Sequence, residues 1–219
     1  MSRHFHDELK ELKEKLLLMG FRVENMISKA VDALLDRNLE LAAQVFEEEK
    51  DINQLEIEID DKGHALLALC QPMAVDLRLI AAILKINTDL ERMGDHAVNI
   101  AERAISLIKE TPFMVNVRLP EMAIATKKML RDALDSFVDG NVDLAQNVLK
   151  RDDEVDNYND NLYAQLEKLM EKNPVLVKSG MNIVMVGHNL ERIADLANNI
   201  AEGAIYMKQG KEVRHHVDL

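Results

Sequence analysis

Phe5, Leu9, Leu12, Leu16, Met19, Val23, Met26 and Ala30 step along the chain by four and three without a break. That spacing keeps all of them on one side of a helix and predicts a single long first helix with a heptad stripe. Asp36-Arg37-Asn38 reads as its end, and Leu41, Val45, Ile52, Leu55 and Ile59 begin a second stripe. Pro72 suits the first turn of a third helix, where its missing N–H costs little. Thr111-Pro112 closes that helix, and the stretch to Pro120 reads as a linker. Three more helices are predicted near 120–139, 141–172 and 174–209, punctuated by Gly140 and Asn173-Pro174. Strand-like alternation of β-branched residues is absent, so the expected fold is all-α.

The two groups of three helices repeat. Leu90-Glu-Arg-Met-Gly-Asp-His-Ala-Val-Asn-Ile-Ala-Glu102 returns as Leu190-Glu-Arg-Ile-Ala-Asp-Leu-Ala-Asn-Asn-Ile-Ala-Glu202, and 11 of 19 positions agree between 89–107 and 189–207. A weaker match joins Asp36–Ala42 to Asp139–Ala145 and Glu49–Asn53 to Asp152–Asp156. The prediction is two tandem three-helix bundles, six long antiparallel helices in all, over residues 1–111 and 120–219 with 112–119 between them. Core packing tolerates apolar exchange such as Met93 for Ile193 but would not by itself keep Glu and Asp fixed. The repeated carboxylates therefore point to function.

Composition narrows the classes. The 219 residues are 47% hydrophobic and 30% charged, and carry a formal net charge of −12. That balance excludes a basic nucleic-acid footprint and attachment to an anionic membrane surface, and favours a cationic partner. The uncharged stretches 64–75 and 179–190 have 12 residues each, against the ~20 of a membrane-spanning helix. The charged start MSRHFHDELKELKEK does not read as a signal peptide, and the lone Cys70 fits a reducing compartment and core packing. Cytoplasmic location without membrane insertion is expected.

On a helical wheel of about 100° per residue, Leu79, Ala82, Ile83, Ile86, Leu90, Met93, Ala97, Ile100 and Ala104 fill one apolar sector of the third helix. Opposite lies a sector that begins apolar, with Leu77, Ile80, Ala81 and Leu84, and turns polar with Thr88, Glu91, Asp95, Asn99 and Glu102. Glu191, Asp195, Asn199 and Glu202 repeat it. The acidic stripe is expected on the outer or inter-bundle side, and the exposed apolar start offers a dimer interface. Glu49/Asn53 and Asp152/Asp156 add pairs at i and i+4 on the second and fifth helices. Carboxylates four apart lie about 5–6 Å from each other and can share a hard or borderline divalent cation. The alternative is a solvated helix face neutralised by Arg92 and Arg192.

Other chemistries find less support. The repeat places Leu196 opposite His96, and His64 and His188 sit on mainly apolar stretches and read as core residues. Paired Glu-x-x-His motifs of di-iron bundles, Gly-rich phosphate loops, nucleophile elbows and Cys-x-x-Cys pairs are all missing. A helical-bundle metalloenzyme and a histidine phosphotransfer module using His96 stay as alternatives.

Gln71-Pro-Met-Ala-Val-Asp-Leu-Arg78, the two Leu-Glu-Arg…Asp…Asn-Ile-Ala-Glu blocks and Asp152-Asp-Glu-Val-Asp156 resemble the PhoU family over essentially the whole chain. The resemblance implies a cytoplasmic, non-enzymatic accessory protein of the phosphate ABC transporter. It further implies contact with the transporter's ATPase subunit and a sensor histidine kinase, negative regulation of the phosphate-starvation response, and a homodimer. It implies surface sites for divalent or iron-type metal ions, and no organic cofactor, at Asp152, Asp156, Glu191, Asp195, Glu91, Asp95 and Glu49. Asn53 replaces a carboxylate in the first set, so the set of Asp152, Asp156, Glu191 and Asp195 is expected to bind metal more strongly.

Overall fold

The computed structural model describes residues 3–70, 72–110 and 118–210. Among them run six long helices: α1 (Arg3–Leu35), α2 (Leu39–Cys70), α3 (Ala74–Ile108), α4 (Leu119–Asp139), α5 (Val142–Lys172) and α6 (Val177–Gln209), the last preceded by a 3₁₀ turn at Pro174–Leu176. Residues 112–117 of the expected linker lie outside the described residues. Arg118 stands at the N-cap of α4, with Pro120 in its first turn.

The repeat shows in the first turn of each half. After α4, Gly140 takes the left-handed conformation at φ 63° and Asn141 N–H reaches back to the Ser136 carbonyl at 2.9 Å. After α1, Arg37 takes the same conformation at φ 51° and Asn38 N–H reaches the Ala33 carbonyl at 2.9 Å. This closure satisfies carbonyls left open at a helix C-terminus. Asn38 and Asn141 then cap the following helices: each side-chain carbonyl accepts a backbone N–H, from Leu41 at 3.2 Å and from Leu144 at 3.1 Å. Arg37 lacks the freedom of glycine, but its guanidinium donates to the Ile108 and Glu110 carbonyls at 2.5 and 2.7 Å, tying this turn to the end of α3.

α1, α2 and α3 pack into one bundle and α4, α5 and α6 into the other. Every residue of the predicted α1 stripe is buried. The bundles join chiefly along α3 and α6, with a second contact between α1 and α4. That second contact includes the Arg131–Glu24 ion pair and a 2.9 Å bond from Lys127 Nζ to Ser28 Oγ. The start of α3 lies beside the end of α6, and the end of α3 beside the start of α6, so the two helices run antiparallel.

The wheel needs one correction. Ile80, expected on the exposed apolar sector, is fully buried, and Leu84 is half-buried against Gly63 of α2. α2 covers this flank of α3. Leu77 alone of the large residues in that sector is exposed, so the dimer interface suggested by that trio is not an exposed patch.

Candidate functional site

The acidic residues gather where α2 meets α3 and, again, where α5 meets α6. In the first bundle Glu91 of α3 is half-buried; burial raises its carboxyl pKa above the ordinary range, and the charges of Asp95, Glu56 and Glu49 add to the rise while Arg92 opposes it. Glu56 of α2 is raised as well, by burial first and then by Asp60 and Asp95. Asp60 is held in place by Asn87, whose side-chain amide donates to its carboxylate at 2.8 Å and to the Glu56 carbonyl at 2.9 Å. Glu49, Glu56, Asp60, Glu91 and Asp95 therefore make one mutually repelling group, with Asn53 exposed at its edge.

The second bundle repeats the arrangement. Burial pushes the Asp156 carboxyl up, helped by Asp152 and Asp195 and more weakly by Asp160 and Asp153. Burial also raises Asp195, with Glu191 adding to the shift. Two side chains stand against this group: the Arg192 guanidinium, whose Nη1 donates to Asp195 Oδ2 at 2.6 Å, and His188, whose Nδ1 lies 3.1 Å from Glu191 Oε2. Arg192 thus neutralises part of the stripe, as expected from the sequence. All seven predicted residues fall in these two clusters, four in the second and Glu49, Glu91 and Asp95 in the first.

The donors are hard carboxylate oxygens, and their mutual repulsion is what a bound cation would relieve. In kind they fit a metal. Among the described residues, however, no three His, Cys, Asp or Glu side chains converge as a ready coordination shell.

Several residues escaped the sequence reading. Glu56 and Asp60 extend the first cluster, and their signal was available: Glu49, Asn53, Glu56 and Asp60 are spaced four, three and four apart, one face of a helix. His64 is exposed and His188 is half-buried with its ring reaching Glu191, so neither is a core residue. A shift of 100 aligns His188 with Thr88 of the polar sector, which would have placed it correctly. His96 is half-buried at the α3/α6 seam, with Nδ1 at 2.8 Å from Asn189 Oδ1.

The family model described as the PhoU domain matches residues 16–104 and 119–204, one copy per bundle. A relative from Pseudomonas aeruginosa, named as a phosphate-specific transport system accessory protein PhoU homolog, is 40% identical over 216 residues, 98% of this chain and 89% of its own. A homolog of the same name from Aquifex aeolicus is 41% identical over 208 residues, 95% of this chain and 94% of its own. The crystal structure of PhoU from Pseudomonas aeruginosa superposes with a TM-score of 0.90 at 40% identity, over 94% of this chain and 100% of that one. With two domain copies, near-full-length similarity and the same all-α fold, the chain belongs to the PhoU family.

Proposed function

We propose that this chain is an accessory protein of a phosphate-specific transport system and acts as a regulatory scaffold, not as an enzyme. The observation that carries this reading is the similarity to the Pseudomonas aeruginosa relative over 216 residues, which spans both bundles and both acidic blocks. In this reading the paired bundles, in the cytoplasm and as a homodimer, dock on the ATPase subunit of the phosphate ABC transporter and on a sensor histidine kinase. Transport then biases kinase output and holds the phosphate-starvation response off. Coupling of this kind requires two states of the complex that present different contacts.

The acidic clusters hold metal in this account. Asp152, Asp156, Glu191 and Asp195 form the stronger set, and Glu49, Glu91 and Asp95 the weaker, because Asn53 contributes no charge. A divalent or iron-type cation bound there supplies positive charge that cancels carboxylate repulsion and changes the potential of the docking face. Asp152 and Asp156 bring α5 to that face and Glu191 and Asp195 bring α6, so the chain's own part is to hold two helices in register. Phosphotransfer through His96 gains no support, since the ring is half-buried and Nδ1 is engaged by Asn189.

The test is direct binding. Purified protein is titrated onto the immobilised ATPase subunit of the phosphate transporter, and separately onto the cytoplasmic part of the kinase, with ATP, with ADP and without nucleotide. Saturable binding to both that depends on nucleotide at the ATPase supports the scaffold. Lack of binding to either under all three conditions removes it.

A further inference from the structure

The outer face of the α3/α6 seam has a charge opposite to that of the molecule. On α3, Arg78, Lys85 and Arg92 recur every seven residues, with Arg103 eleven further on, so they form one row along the helix. Arg78 and Lys85 are exposed and make no ion pair among the described residues. They form one wall of a 340 Å³ groove whose other wall is Asn199, Glu202 and Tyr206 of α6. Arg103 lies in the matching groove at the other end of the seam, beside Lys178 of α6, whose own charge is taken by Glu110 at 2.7 Å. At the middle, Arg92 and Arg192 both act on His96. A row of cations thus follows the seam of a chain whose formal net charge is −12.

The repeat has given the two helices different parts of this face. Where α3 has Ala81, Lys85 and Ser106, α6 has Met181, Met185 and Tyr206, all three of them exposed. Where α3 has Arg103, α6 has Gly203, and a Cβ added at Gly203 would meet nothing within 4 Å, so this groove stays open. The face is therefore cationic along α3 and apolar along α6, and methionine gives the apolar side adaptable contacts. Acidic clusters lie outside it on both sides, toward α2 and toward α5.

We infer that this seam is the docking surface for an acidic amphipathic helix of a protein partner. A helix laid between two packed helices occupies about one helix diameter, 10–12 Å, which suits a cationic strip bounded by two acidic ones. Its carboxylates face Arg78, Lys85, Arg92 and Arg103, and its apolar side rests on Met181, Met185 and Tyr206. A flat anionic membrane would press its headgroups onto both acidic clusters as well. A small free anion would gain nothing from the apolar row and would meet Glu202 in the groove. The inference extends the scaffold reading and rests on it only for the partner's identity, which the following experiment does not use.

The probe is a fluorescein-labelled helical peptide of about 18 residues, with Glu along one flank and Leu along the other, followed by fluorescence anisotropy. The intact protein binds it with an affinity that falls as salt is raised. Arg78→Glu/Lys85→Glu weakens binding by roughly tenfold or more, Met181→Ser/Met185→Ser weakens it without changing the salt dependence, and Lys128→Glu/Lys172→Glu on α4 and α5 leaves it unchanged. Circular dichroism and thermal melts of each variant report that the bundles are intact. The inference is overturned if the intact protein does not bind the peptide, or if the α3 charge reversal binds as the intact protein does. It is also overturned if the reversal abolishes sedimentation with phosphatidylglycerol vesicles while peptide binding survives. Because transporter and kinase are absent, failure here leaves the scaffold reading standing, and failure of that reading leaves this one standing.

Discussion

His96 of α3 and Asn189 of α6 meet across the seam between the two bundles, ring nitrogen to amide oxygen at 2.8 Å, 93 residues apart in the chain. Asn189 is buried and passes its own amide N–H to the Met185 carbonyl at 2.6 Å, so its oxygen has to find a donor. His96 supplies one when Nδ1 carries the proton. A double-mutant cycle with His96→Leu and Asn189→Leu is expected to return a coupling of about 1 kcal/mol, measured by urea unfolding.

The same histidine gives stability a pH dependence. Burial is the largest cause holding its pKa below the ordinary imidazole range; Arg192 and Arg92 lower it further, while the Asn189 bond and Asp95 oppose them. The unfolded chain therefore takes up a proton that the folded chain refuses. Stability falls as pH drops through about 6.5, and His96→Leu is expected to remove that part of the slope in melts run across this range.

Two glycines at corresponding kinds of crossing should respond in opposite directions. Gly94 faces α2, where an added Cβ would sit 3.5 Å from Ile52 Cγ2, an ordinary contact, and the second copy already has Ala194. Gly94→Ala is expected to stabilise by roughly 0.5–1 kcal/mol. At Gly187 the added Cβ would come within 2.3 Å of Leu162 Cδ2 and 2.9 Å of the Asn159 side-chain oxygen, so both side chains must be displaced from their packed positions. Gly187→Ala is expected to cost about 1–3 kcal/mol. Urea midpoints decide both.

Glu110, just past α3, clasps the start of α6: its carboxylate takes Lys178 Nζ at 2.7 Å and accepts the Ser179 hydroxyl. Lys178, then Ser179, hold its pKa below the ordinary carboxylate value. The stabilisation is present above that value and is lost as pH falls through the lowered pKa. The difference in melting temperature between the intact protein and Glu110→Gln should therefore close between about pH 5 and pH 3.

The metal assignment carries a sign of its own. Because burial and neighbouring carboxylates raise Asp156, its charged form is disfavoured in the fold. Asp156→Asn is expected to stabilise the metal-free protein at neutral pH and to reduce metal retained after divalent or iron loading, read by elemental analysis. The same change at Glu91 in the weaker set should remove less metal. Equal losses would contradict the ordering, and no retained metal in the intact protein would end the metal reading.

Helix periodicity was sufficient for the core of α1 and for both acidic blocks, because a heptad stripe and an i, i+4 pair are properties of a single helix. It failed at Ile80, whose angle on α3 says nothing about α2 lying over it. It failed for His64 and His188 because apolar neighbours in sequence point to other sides of the helix. The His96–Asn189 bond was invisible for a different reason. It depends on the antiparallel crossing of two bundles, which no local pattern reports. Glu56 and Asp60 were legible by spacing, and their burial beside Asp95 is what made them part of the site.

The most direct test of the account is a phosphate-starvation reporter in the host cell after deletion of this chain. The account predicts that the reporter stays on in abundant phosphate and that restoring the intact chain shuts it off. A reporter that stays off in abundant phosphate and still switches on when phosphate is withdrawn, with the chain absent, would contradict it.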